Sequence, residues 1–280
     1  MRIVETELIK KAVKEAVKTA NTRLPVDVLT SLEKARDNET VPHARQVLDI
    51  LLQNAHQAQT ENMPLCQDTG LVTVHVQLGQ EVALTGGSLY EAINQGIGEG
   101  YTEGYFRASM VKDPFERVNT GDNTPAVVHL EMIAGDKVII TVFPKGAGSE
   151  NMGRTIMLKP ADGWEGARRF VVDTVRIANA NPCPPIIVGV GVGGNLEKAC
   201  LLAKKALLRP IDQPHPDRRI AAREAQLLQD INKLGIGPQG MGGDTTALAV
   251  TMEVYPTHIA SLPVAVSLNC HSARRATVTV

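Results

Sequence analysis

Residues 64–78 read PLCQDTGLVTVHVQL, and within them the chain changes its period. From Leu71 onward Val72, Val74, Val76 and Leu78 alternate with Thr73, His75 and Gln77, the repeat of a strand with one buried face. Before this stretch the rhythm is different. Leu8, Ile9, Ala12, Val13, Ala16 and Val17 recur at helical spacing over residues 5–20, and Ala44, Val47, Leu48, Leu51 and Leu52 do so over 43–59. The spacing predicts a helical segment over residues 1–62, joined through a short turn to a strand. At that junction Cys66, Gln67 and Asp68 stand side by side.

Beyond the junction, AVVHLEMI (126–133) and KVIITVF (137–143) predict two strands joined as a hairpin through Ala134, Gly135 and Asp136. The glycine-containing loop PKGAGSENMG (144–153) follows. Residues 164–180 predict a helix, IIVGVGV (186–192) a buried strand, and NLEKACLLAKKALL (195–208) a helix capped by Asn195. Another helix over 217–234 is ended by Gly235. TALAVTMEV (246–254), PVAVSLN (263–269) and ATVTV (276–280) supply the last strands. Helices and strands alternate irregularly, with no internal repeat, low-complexity tract or linker. The expectation is a single α+β domain over residues 1–280, its helical N-terminal part (1–62) followed by a mixed β-sheet with flanking helices (63–280).

A chain of 280 residues, 43% hydrophobic and 21% charged, can bury a substantial core without staples. Lys+Arg number 29 against Asp+Glu 30, a formal net charge of -1, which argues against nucleic acid or an anionic membrane as the main partner. Aromatic residues at 3% are too few for a base-stacking platform. The start, MRIVETELIKKAVKEAVKTA, lacks the uninterrupted apolar run of a signal peptide, and no stretch is apolar enough to span a bilayer. A cytoplasmic location is therefore expected, where thiols serve metals or catalysis more often than disulfides.

Cys66 in PLCQDTG, Cys183 in NPCPP and Cys270 in LNCHSARR lie in loop-like sequence, whereas Cys200 falls with Leu196, Ala199, Ala203 and Leu207 on one helical stripe, predicting a buried thiol. Three thiolates can hold three irons of a cubane cluster and leave the fourth iron open to a ligand. Incidental thiols are the alternative, because the three are far apart along the chain and no Cys-x-x-Cys supports them. Gln67 can donate to a substrate oxygen and Asp68 can act as acid, base or orienting group; equally, QDTG can be a plain turn. Arg107 can fork onto a carboxylate or be a solvated surface residue. KGAGSEN (145–151) offers backbone amides to an anion without the P-loop pattern, and GVGVGG (189–194) misses the dinucleotide register. His258, between two strands, is a candidate acid/base or substrate-binding imidazole, or an ordinary loop histidine. His271 beside Cys270 can support a ligand, while Arg274 and Arg275 can meet an anion or pair with acidic groups.

Taken in order, PLCQDTG, VNTGDNTPA, KGAGSENM, NPCPPIIVGVGVGG, RPIDQPHPD, LGIGPQGMGGDTTALAV and SLPVAVSLNCHSARR resemble, over nearly the whole chain, the α subunit of class I iron–sulfur fumarate hydratases. The related α subunit of L-tartrate dehydratase shares most of these blocks. The resemblance implies an oxygen-sensitive hydro-lyase that interconverts fumarate and L-malate with a 4Fe-4S cluster on three cysteines, here Cys66, Cys183 and Cys270. It places Gln67, Asp68, Arg107, the glycine loop around Gly148, and His258 at the dicarboxylate, with Asp68 tuning a base and His258 at the far carboxylate. Single-chain members continue into a C-terminal domain, so a separate β subunit and an α2β2 assembly are expected. KGAGSENM looks closer to the fumarase form of the glycine loop. Turnover of L-tartrate to oxaloacetate is the alternative, and a non-catalytic iron–sulfur or zinc-binding subunit is an alternative of another class.

Overall fold

Apolar residues three and four apart in some segments, and two apart in others, leave faces that must be covered. A computed structural model describes residues 1–280. In chain order it contains β1 (Arg2–Glu5), α1 (Thr6–Thr22), α2 (Val26–Asn38), α3 (Pro42–Glu61), β2 (Leu71–Gly79), β3 (Val82–Thr85), α4 (Leu89–Glu103), β4 (Val127–Ile133) and β5 (Val138–Lys145). The rest are α5 (Ala147–Glu150), β6 (Arg154–Leu158), α6 (Gly163–Ala178), β7 (Ile186–Gly194), α7 (Leu196–Ala206), α8 (Arg218–Asn232), β8 (Ala247–Thr257), β9 (Leu262–Asn269) and β10 (Ala276–Thr279). Mixed sheets with flanking helices make the fold α+β. The chain divides into two compact units, one from residues 1–25, 54–147 and 274–280, the other from 26–53 and 148–273.

In the first unit the sheet runs β10-β5-β2-β4, and β1 pairs with β3 in a separate ribbon. Ile9, Val13 and Val17 of α1 and Ile93, Ile97 and Tyr101 of α4 cover Val72, Val74 and Val76 of β2 and Val138, Ile140 and Val142 of β5. The alternation seen in residues 71–78 thus buries its valines under α1 and α4. The expected hairpin between residues 126–133 and 137–143 does not form. β2 lies between those two strands, parallel to β4 and antiparallel to β5. The turn between them instead closes over the end of β2, where the amides of Gly79, Gln80 and Glu81 donate to the carbonyls of Lys137, Ile133 and Gly135. With β2 between them, β4 and β5 each pair along it, and its valines are buried on the face that α1 and α4 cover.

The second unit is built on the sheet β6-β9-β7-β8. One face carries Val188 and Val190 of β7, Val264, Val266 and Leu268 of β9 and Met252 of β8 against Val171 and Val175 of α6 and Leu227 and Ile231 of α8. The other face carries α7, whose Ala199 and Ala203 pack on Ala265. Here the glycines of 189–194 find their reason. A Cβ on Gly191 would lie 2.1 Å from the Ala199 carbonyl oxygen, and one on Gly189 would lie 2.3 Å from that of Ala203, so α7 rests directly on β7. Asn195 caps α7 as the sequence predicts, its Oδ1 accepting from the Lys198 amide at 2.8 Å.

Candidate active site

The PLCQDTG turn belongs to the first unit, between α3 and β2, and its backbone is gripped from several sides. Asn54 donates to the Leu65 carbonyl at 3.0 Å, Arg274 to that of Asp68 at 2.7 Å, Tyr101 to that of Thr69 at 2.6 Å, and Asn123 to that of Gly70 at 3.0 Å. The Leu65 amide donates to the Asn21 carbonyl at 2.9 Å. Gly70 closes the turn at φ +79°, where an added Cβ would stand 2.6 Å from the Lys145 carbonyl carbon, so no larger residue fits. Polar groups buried this way rigidify a segment only when they are satisfied, and here the carbonyls have partners.

That grip aims the side chains. Asp68 Oδ1 accepts from the Gly70 amide at 3.0 Å and Oδ2 from the Ala147 amide at 2.8 Å. The glycine loop expected at 144–153 is in fact the end of β5 and the one-turn helix α5, and its first helical amide is taken by Asp68 rather than left for an external anion. Arg107 Nη2 lies 3.3 Å from Asp68 Oδ1. The Arg107 carbonyl accepts from Thr69 Oγ1 at 2.7 Å, which places the guanidinium over the turn while its side chain stays 57% exposed. Gln67 is exposed, and Cys66, half-buried, sits 3.4 Å from Gln67 Oε1. Cys66, Gln67, Asp68 and Arg107 are therefore brought together in one place. Tyr101 beneath them is 1% exposed, and burial pushes its phenol up to about 12 while the Arg274 charge pulls the other way.

In the second unit Cys183 precedes β7 and Cys270 follows β9, and because these strands run antiparallel with Ile187 opposite Asn269, both thiols stand at the same sheet end. The His271 amide donates to the Cys183 carbonyl at 3.3 Å, and His271 Nδ1 lies 3.2 Å from the same oxygen. Gln239 ties the neighbouring Pro184 carbonyl through its backbone amide at 2.8 Å and its side-chain Nε2 at 2.7 Å. Cys183 is exposed and holds φ +54°, so this clasp maintains a backbone that a non-glycine residue rarely adopts. Gly148 is exposed on α5, with the Asn181 carbonyl oxygen 3.1 Å from where its Cβ would stand.

Two expectations are met differently. Cys200 is exposed, not buried: the face of α7 turned inward carries Ala199, Leu202, Ala203 and Ala206, and Cys200 falls beside it. A helix resting on glycines buries a narrow stripe of small residues, so the thiol's place on an apolar pattern did not ensure burial. His258 follows β8, which runs parallel to β7 with Thr257 opposite Gly194, so it stands at the sheet end remote from Cys183 and Cys270. Its Nδ1 accepts from the Ala260 amide at 3.1 Å, and it lines a cavity of about 360 Å³ with Trp164, Met252 and Leu262.

No disulfide joins any of the four cysteines, and nowhere do three or more His, Cys, Asp or Glu side chains form a ready ligand set for one metal ion. Beside Cys270, Asn269 is 2% exposed; its Oδ1 accepts from the Cys270 amide at 3.1 Å, and its Nδ2 is buried without a partner. An orphaned N–H beside a thiol suits a sulfur acceptor, so the donors in this loop fit an iron–sulfur group. Tyr101, Asn21, Asn123 and Gln239 escaped sequence reasoning, since each acts on residues far away in the chain, and Asn269 did because the burial that orphans its Nδ2 is set by the fold.

A clamped turn that bears an amide and a carboxylate beside an exposed guanidinium is suited to receiving an anion. Residues 10–279 match the model of the family described as fumarate hydratase (fumerase), and the chain belongs to that family of hydro-lyases. Among curated proteins it is 40% identical over 274 residues to a Methanocaldococcus jannaschii protein provisionally named L(+)-tartrate dehydratase subunit alpha, covering 96% of each chain. It is 36% identical over 264 residues to an Escherichia coli L(+)-tartrate dehydratase subunit alpha and 35% identical to one from Shigella sonnei, covering 93% of this chain and 86% of those relatives.

Proposed function

We propose that the chain is the α subunit of a heteromeric iron–sulfur hydro-lyase that reversibly hydrates fumarate to L-malate. The observation that carries the reading is the clamped turn, on which Asp68 takes two backbone amides and Arg107 Nη2 stands 3.3 Å from its Oδ1. In this reading Cys66, Cys183 and Cys270 hold a 4Fe-4S cluster, which when bound supplies a Lewis-acidic iron for the departing hydroxyl. Arg107 uses its exposed arm to fork onto a substrate carboxylate, and Gln67 donates to a substrate oxygen. Both oxygens of Asp68 already accept hydrogen bonds, so it orients its neighbours and tunes a base rather than swinging to the substrate. Gly148, without a side chain, lets a carboxylate approach the backbone. For the far carboxylate this reading keeps His258, which stands at the sheet end remote from Cys183 and Cys270; the assembly it takes is α2β2.

The names of the relatives, each a subunit alpha, support a separate β subunit that completes the site. Those names also favour a second reading, dehydration of L-tartrate to oxaloacetate. The test is anaerobic co-expression with the β chain and steady-state rates on L-malate, fumarate and both tartrates. A preference for malate and fumarate supports the first reading and a preference for L-tartrate the second. A brown, cluster-loaded pair that turns over none of them would leave a non-catalytic subunit.

A further inference from the structure

Arg274 is the largest fully buried side chain of the protein, 1% exposed. Its Nη1 donates to the Asp68 carbonyl at 2.7 Å and lies 3.4 Å from Asn21 Oδ1. Its Nε is buried with no hydrogen-bond partner. Burying a guanidinium costs several kcal/mol, and where packing alone is needed an apolar side chain of similar volume stabilises as well or better. The charge is therefore placed for something other than packing. Asn54, Tyr101 and Asn123 hold the carbonyls of Leu65, Thr69 and Gly70, and Arg274 completes this set at Asp68, whose side chain faces Arg107.

We propose that Arg274 is a positioning residue for Asp68: its buried guanidinium holds the Asp68 peptide so that the carboxylate keeps the Gly70 and Ala147 amides and presents Oδ1 to Arg107. The inference rests on the reading above in which Asp68 serves the dicarboxylate site. Lysine at this position keeps the charge but replaces a planar fork of donors with a single nitrogen. In the complex with the β chain, Arg274→Lys lowers kcat by about 10- to 100-fold, the loss typical of a group displaced by an ångström, while KM changes far less. Combined with Asp68→Asn it adds no more than about twofold to the loss caused by Asp68→Asn alone, as expected for residues acting as one unit. In the full chain, amide hydrogen exchange at Gly70 and Ala147 quickens by at least about tenfold in Arg274→Lys, while amides of β7 and α8 stay as in wild type.

Losses that multiply in the double variant, or wild-type protection at Gly70 and Ala147 alongside a fallen kcat, would overturn the proposal. Should Arg274→Lys fail to fold, Asn21→Ala, which removes the second contact of Nη1, is read by the same measurements. If the wild-type pair turns over no dicarboxylate, the functional reading fails, and the exchange rates alone decide whether Arg274 fixes the Asp68 carboxylate.

Discussion

Tyr101 donates a 2.6 Å hydrogen bond to the Thr69 carbonyl from a site where burial lifts its phenol to about 12. A raised value means the folded state holds the proton after the unfolded chain has released it. The stability this contributes is complete below pH ~10, the unfolded value, and is lost as pH rises to ~12. The loss is on the order of 3 kcal/mol, at about 1.4 kcal/mol for each pH unit of the shift. Urea unfolding of wild type and Tyr101→Phe across that range checks it: the phenylalanine variant is less stable at neutral pH by about 1–3 kcal/mol, and the gap narrows or reverses above pH ~10. Arg107 makes a separate prediction, because Arg107→Lys retains charge but not the fork. Steady-state kinetics of the α–β pair are expected to show kcat/KM down by about 10- to 100-fold, mainly through KM.

β7 and α7 depend on each other through glycine. In Gly191→Ala the new methyl meets the Ala199 carbonyl oxygen at 2.1 Å and the Ala203 amide nitrogen at 2.5 Å, both backbone atoms that cannot turn aside. The helix must lift from the sheet, and a loss of about 3 kcal/mol or more is expected in the urea midpoint. Asn195→Ala removes only the cap and is expected to lose about 1 kcal/mol by the same measurement. Much at this scale is legible in the sequence itself: the valine alternation of β2, the periodicity of α1, α3 and α8, and the Asn195 cap all follow from side chains near one another along the chain. The β4–β5 pairing is not, because strand periodicity reports which face is buried and says nothing about which strand lies alongside. β1 and β6, at four and five residues, are too short to show a period.

Across the full chain, the thiols sort into loop residues and one helix residue, and their accessibility makes the roles testable. Cys66→Ser, Cys183→Ser and Cys270→Ser are each expected to abolish the broad visible absorption of anaerobically reconstituted protein, whereas Cys200→Ser retains it. Retention in any of the first three removes that residue from the ligand set. No helix is long and apolar enough to cross a membrane.

Composition, period and the co-linear motifs were enough to give the α+β class, the family, most helices and strands, and the candidates Cys66, Gln67, Asp68 and Arg107, because each signal resides in neighbours along the chain. Folding alone determined that β2 separates β4 from β5, that Cys200 faces outward, that His258 stands at the sheet end away from Cys183 and Cys270, and that Arg274 is buried against Asp68. Those outcomes depend on residues tens to hundreds of positions apart meeting in space, where register, close backbone approach and desolvation decide, and no local pattern carries that information.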